Sequence, residues 1–170
     1  MKKLLSLSFA ILLFLICQTV SAQTPAANGI KLTDPERGVE FTAPNGSWNI
    51  NTSKSFISLN HETFYDAHVT LKKSWYMVGT AQEAYNKRKD SLKSYLPGAI
   101  FVKENEPVTL TNGVGGISMT YKNPSDLKIQ REIIFIYKNQ PYELVFQAKE
   151  ENFQEVKADF GFILQNMRLF

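Results

Sequence analysis

The sequence predicts an α+β fold: a central, mainly antiparallel sheet covered by two amphipathic helices, an α-β-α sandwich. Three observations predict it. Short alternating segments separated by turn residues fill most of the chain, and strands joined by short turns run antiparallel. Two capping-box sequences, Thr80-Ala81-Gln82-Glu83 and Asn152-Phe153-Gln154-Glu155, each open a segment of helical periodicity. Both helical segments carry an apolar stripe that has to be buried against something, and the sheet is what is available.

Along the chain, Gly38-Val39-Glu40-Phe41-Thr42 alternates and Pro44-Asn45-Gly46 turns. Trp48-Asn49-Ile50 alternates again, and Phe56-Ile57-Ser58-Leu59 is another short strand candidate. A long strand is expected over 66–77, with Ala67, Val69, Leu71, Trp75 and Met77 on one face and Lys73 breaking the series. His68, Thr70, Lys72 and Ser74 fall on the other face. The first helix is expected over 80–96: Thr80 caps it, Ala81, Ala84, Tyr85, Leu92 and Leu96 form its stripe, and Pro97-Gly98 ends it. Strands return at 99–102, 108–110 and, after Thr111-Asn112-Gly113, at 114–121. Residues 129–137 include Ile133-Ile134-Phe135-Ile136, apolar in both directions, the pattern of a strand buried on both faces and so the candidate for the sheet centre. A tight turn at Asn139-Gln140 leads into 141–148, where Tyr142, Leu144, Phe146 and Ala148 share a face. The second helix closes the chain. Its stripe is Phe153, Val156, Phe160, Ile163, Leu164 and Met167, it ends near Met167, and Leu169-Phe170 follow as a packed tail.

The first 22 residues read as a secretory signal peptide. Lys2 and Lys3 supply the positive start, Leu4 to Ile16 the apolar run, and Val20 and Ala22 the compact residues of a cleavage site. The apolar run is shorter than the roughly 20 residues of a spanning helix, so no stable membrane anchor is expected after cleavage. Cys17 is the only cysteine. Bulky Ile16 before it does not suit a lipoprotein signal, so Cys17 is expected to leave with the signal and the mature chain to hold no disulfide. The expected organisation is signal peptide 1–22, a disordered lead-in 23–29, and a single domain 30–170. The expected location is outside the cytoplasm, periplasmic or secreted.

Cleavage lowers the basic count from 19 to 17 against 16 acids, so the full-chain charge of +3 overstates the basic character. With no dense Lys/Arg run and no interleaved aromatics, nucleic-acid binding is not expected. The element order and its turn residues resemble the PsbP-like superfamily. That group includes exported bacterial proteins, mycobacterial lipoproteins, the PsbP subunit of photosystem II and a small Ran-binding nuclear protein. The features that resemble it are Pro44-Asn45-Gly46-Ser47-Trp48, the strand 66–77, the helix 80–96 and Asn112-Gly113 before Val114-Gly115-Gly116. The closing Tyr142-Glu143-Leu144-Val145-Phe146 strand with its helix completes the likeness. The resemblance implies a binding or assembly-factor role rather than catalysis, and it carries no shared catalytic set.

No catalytic, cofactor or metal residue is assigned from the sequence. His61 and His68, with Glu62 and Asp66 nearby, are seven apart, which is wrong for a helical metal motif, so solvated surface positions are expected. Gly113-Val114-Gly115-Gly116 lacks the Lys-Ser/Thr of a phosphate loop and is expected to be a hairpin with close backbone approach. Ser74, Ser91, Ser118 and Ser125 are hydroxyl candidates outside any G-x-S-x-G elbow. Trp75 and Met77 are expected in the core, with Tyr76 on the opposite face; Lys72-Lys73 and Lys87-Arg88-Lys89 are expected on solvated faces. The favoured function is a non-enzymatic exported domain that binds an envelope protein or an apolar ligand between sheet and helix. The alternative is a small periplasmic hydrolase-like enzyme, which requires a cleft of convergent polar groups.

Overall fold

The computed structural model describes residues 29–44 and 46–170. The expectations for the signal peptide 1–22 and the lead-in 23–29 lie outside the described residues, Gly29 excepted. The described chain is α+β and antiparallel. Its strands are β1 (Ile30–Asp34), β2 (Val39–Ala43), β3 (Trp48–Thr52), β4 (Phe56–His61), β5 (His68–Lys73), β6 (Ile100–Thr109), β7 (Gly115–Asn123), β8 (Lys128–Tyr137), β9 (Gln140–Lys149) and β10 (Arg168–Leu169). Its helices are α1 (Ala81–Tyr95) and α2 (Glu150–Asn166).

A 7-stranded sheet in the order β3-β4-β5-β9-β8-β7-β6 forms the platform, and β1-β2-β10 form a separate 3-stranded sheet. The strand of 38–42 therefore leaves the main sheet, and β1 is a strand that the sequence reading did not separate out. β9 is the central strand of the main sheet, with the doubly buried β8 beside it. The two segments at 99–102 and 108–110 are one strand, β6, whose register shifts between Phe101 and Glu106. In that bulge Asn105 takes a φ of 54° and its N–H donates to Tyr85 Oη at 2.9 Å.

Local chemistry explains the turns. Lys138 and Asn139, both at positive φ, form the two-residue loop between β8 and β9. Gly113 has φ 75° in the β6–β7 hairpin, where its N–H donates to the Leu110 carbonyl. A Cβ on Gly116 would stand 3.0 Å from the Ile134 carbonyl oxygen. The glycine run is thus a hairpin with close backbone approach, as expected.

Each face of the platform has its own core. Tyr142, Leu144 and Phe146 of β9 join Phe160 and Ile163 of α2, together with Val39 and Phe41 of β2. On the opposite face Ala84, Tyr85 and Leu92 of α1 pack on Met119, Tyr121 and Ile134. α1 lies over β7 and β8, whereas α2 lies over β8 and β9 and against β2. A helix about 10 Å wide spans roughly two strands spaced about 4.8 Å apart, so neither helix covers its whole face. On the α2 face the 3-stranded sheet packs beside α2 and touches both the β3–β4 turn, through Arg37, and the β6–β7 hairpin, through Leu169, while the side of α2 lined by β6, β7 and β8 stays open.

Candidate functional site

The open side is a groove of about 740 Å³ between α2 and the sheet. Phe146 and Phe160 form its floor and Phe153 and Leu164 extend it along the helix. Phe146 is only 1% exposed, so the groove reaches down to the core. The stripe predicted for α2 is wider than one buried seam. Val156, Phe160, Ile163 and Met167 are buried, while Phe153 and Leu164 are half-buried on the groove side. Gly161 opens the helix wall: no neighbouring group lies within 4 Å of where its Cβ would sit.

The groove is rimmed by cations. Lys103 pairs with Glu106 at 3.0 Å, and Lys122 pairs with Glu150. Arg131 on the sheet wall and Lys157 on the helix wall also line it, and neither makes an ion pair with any described residue. Arg131 stands opposite Phe146 in the β8–β9 register, so the two share the groove face. None of these four cations was singled out from the sequence. The signals that were available are the extra width of the α2 stripe and an isolated glycine inside a helix.

The titratable cluster lies on the other face. Arg88 donates from Nε and Nη2 to the Glu132 carboxylate at 2.7 and 2.6 Å, a bidentate pair in which Glu132 is fully buried. Tyr121 Oη donates to Glu132 at 2.7 Å, and Arg88 Nη1 donates to Tyr95 Oη at 2.6 Å. Glu143 is 3.0 Å from Lys72 Nζ and 3.5 Å from Arg88 Nε, yet neither of its oxygens accepts an aligned hydrogen bond. Burial alone lowers the basicity of Arg88, but the hydrogen bond and charge of Glu132 outweigh it and hold the guanidinium ionised. Burial and the Glu132 charge push the Tyr121 phenol far up, so it stays a hydrogen-bond donor. The arrangement fastens α1 to the sheet. Arg88, expected on a solvated face, is buried because it occupies the stripe between Tyr85 and Leu92, with a carboxylate waiting beneath it.

The histidines are also placed differently from expectation. β4 runs on to His61, which continues the inward series of Ile57 and Leu59. His61 is buried, Nδ1 accepts from the backbone N–H groups of Thr63 and Phe64 at 3.1 and 3.0 Å, and the ring meets Trp48 edge-on at 4.9 Å. Its Nε2 is 3.9 Å from Asp159, the same carboxylate that accepts from Trp48 Nε1 at 2.9 Å. His68 is half-buried, with Nδ1 2.6 Å from Asn60 Oδ1. Neither histidine lines the groove. Among the described residues no group of three or more His, Cys, Asp or Glu is placed to hold a metal ion.

Of the serine candidates, Ser118 is buried beneath the α2 face with its hydroxyl unpartnered, and Ser74 Oγ accepts from the Tyr76 N–H at 3.4 Å. Ser91 lies on α1 and Ser125 lies in the β7–β8 turn. No serine bonds a histidine among the described residues. Trp75 and Met77, expected in the core, are 78% and 90% exposed. β5 ends at Lys73 because its partner β9 begins at the hairpin; beyond Ser74, which donates to the Pro141 carbonyl, no ladder keeps the alternation in phase.

No family model matches the chain, and no curated protein matches it. Solved structures do. Cyanobacterial PsbP (CyanoP) from Synechocystis sp. PCC 6803 superposes with a TM-score of 0.61 at 15% identity, over 85% of this chain and 94% of that one. LpqN, involved in cell envelope biogenesis of Mycobacterium tuberculosis, gives 0.52 at 12% identity, over 85% and 87%. A Pseudomonas aeruginosa protein described as a putative regulator gives 0.50 at 9% identity, over 81% and 94%. At these identities the likeness is one of fold.

Proposed function

We propose that this chain, which has the PsbP-like fold, is a non-enzymatic binding domain exported to the cell envelope, and that it takes its ligand in the groove beside α2. The observation that carries the reading is the groove itself: an apolar floor reaching the core, within the roughly 300–1,000 Å³ of ordinary ligand sites. The buried acids that the described fold holds under α1, Glu132 and Glu143, lie on the opposite face of the sheet. Their separation from the groove supports binding over acid–base chemistry. Export is supported by the signal-like residues 1–22 and by the envelope role named for LpqN. Among the described residues no helix is long and apolar enough to cross a membrane.

Two measurements test the reading. Intact mass of the protein from the envelope fraction is expected to begin at Gln23; a lipid-modified Cys17 would replace export in free form by a lipoprotein. Anilinonaphthalene sulfonate is expected to brighten on the wild type and much less on Gly161→Leu, whose side chain starts from an open Cβ position on the groove wall. Equal brightening in both would move the site away from α2.

A further inference from the structure

We infer that the groove beside α2 binds a single-chain lipid with an anionic head group. The inference rests on the proposal that this groove is the ligand site, and it names what occupies it. Three observations point to that chemistry.

The first is charge complementarity. Four cations stand around the groove, and Glu106 and Glu150 answer only Lys103 and Lys122. Among the described residues Arg131 and Lys157 make no ion pair, and they stand one on each wall. A head group seated between them receives two charge-assisted contacts, and the fork of Arg131 suits a carboxylate or phosphate in bidentate geometry.

The second is the floor. Beneath the cations lie Phe146, Phe153, Phe160 and Leu164, which offer no hydrogen-bond partner. An acyl chain needs none. A peptide main chain laid in the same place would bury N–H and C=O groups without partners, at a cost that grows with every residue.

The third is the edge of the sheet. β6 is the terminal strand beside the groove, and an extended peptide could pair there only along a regular edge. β6 carries Pro107 and two shifts of register, devices that blunt an edge against added strands.

The test is calorimetric titration of the purified protein with laurate, dodecyl phosphate and the neutral monolauroylglycerol, each kept below its micelle concentration. Laurate and dodecyl phosphate are expected to bind at one site per chain, tighter than monolauroylglycerol by about tenfold or more, the scale of a charge-assisted contact. Arg131→Gln with Lys157→Gln is expected to erase that preference and leave monolauroylglycerol binding and the melting temperature unchanged. Gly161→Leu is expected to abolish binding of all three. Equal binding of neutral and anionic lipids, or a preference that survives the double variant, would overturn the anionic head group while leaving the groove as the site. Failure of every lipid while an acidic peptide saturates the wild type and not Gly161→Leu would overturn the lipid and keep the groove. Lipid binding undiminished in Gly161→Leu would overturn the groove reading itself.

Discussion

Phe160 packs its ring against Trp48, Phe146 and Phe153 at centroid distances of 6.0, 5.3 and 5.9 Å, where α2 crosses the sheet. Phe160→Ala is expected to cost about 3–5 kcal/mol in urea melts, through lost burial and the cavity left behind. The neighbouring Asp159 is not a neutral control, although the stripe alone would make it one. Asp159→Ala strips the fully buried Trp48 indole of its acceptor and is expected to cost about 1–3 kcal/mol in the same melts. His68 makes a pH prediction. Burial, then the charge of Lys128, lowers its pKa below the usual 6.5, and Asp66 offsets part of that. The folded state therefore resists protonation that the unfolded chain accepts. Stability is fully present above the unfolded value and falls as pH drops from there through the folded pKa. Urea midpoints at about pH 7.5 and about pH 5 should differ less in His68→Gln than in the wild type. An unchanged difference would remove His68 from the account.

At the scale of elements, the two helices begin by different means. α1 has the cap its sequence announces: Thr80 Oγ1 accepts from the Glu83 N–H at 3.2 Å, and Glu83 reaches back to the Gly79 N–H at 3.1 Å. α2 does not use Asn152 as a cap. It starts two residues earlier, at Glu150, and its N-cap residue Lys149 offers no side-chain cap. Asp66, at the turn before β5, accepts from the Lys149 N–H and from Asn152 Nδ2 at 2.8 Å instead. Burial works against the Asp66 carboxylate, but these donors prevail and hold its pKa below the usual value. Thr80→Ala and Asp66→Ala are each expected to cost about 1 kcal/mol or slightly more in urea melts. α1 is held down by the Arg88–Glu132 pair. Arg88→Ala leaves a buried carboxylate uncompensated and is expected to cost about 3–5 kcal/mol, whereas Arg88→Met with Glu132→Leu should recover most of the loss. A double variant as unstable as the single would mean that the pair does more than neutralise itself.

For the whole molecule, offset is the governing feature. The helices sit on opposite faces and share only β8 beneath them, and the second sheet packs against α2 through β2. The groove is the remainder left by that offset. If Cys17 is removed with a signal peptide, as the sequence leads one to expect, the mature chain holds no cysteine and its stability rests on the two cores and the pairing of the strands. The secreted protein should melt at the same temperature with and without dithiothreitol. A difference would place the mature start before Cys17.

What the sequence determined by itself is what neighbouring residues decide among themselves. The antiparallel order follows from short turns, the start of α1 from residues three apart, the inward stripe of α2 from helical periodicity, and the Gly113 hairpin from a backbone angle that glycine adopts freely. The features that escaped it join residues remote along the chain. Arg88 meets Glu132 across 44 positions, Asp66 caps α2 across 83, and Trp48 finds Asp159 across 111. A lysine-arginine-lysine run reads as a solvated face until a buried glutamate lies under its middle residue, and a histidine two places past a strand candidate reads as surface until the strand runs on. The groove is the extreme case. It is made by where α2 lands on the sheet, and local pattern constrains which face a helix buries but not which strands it lies across.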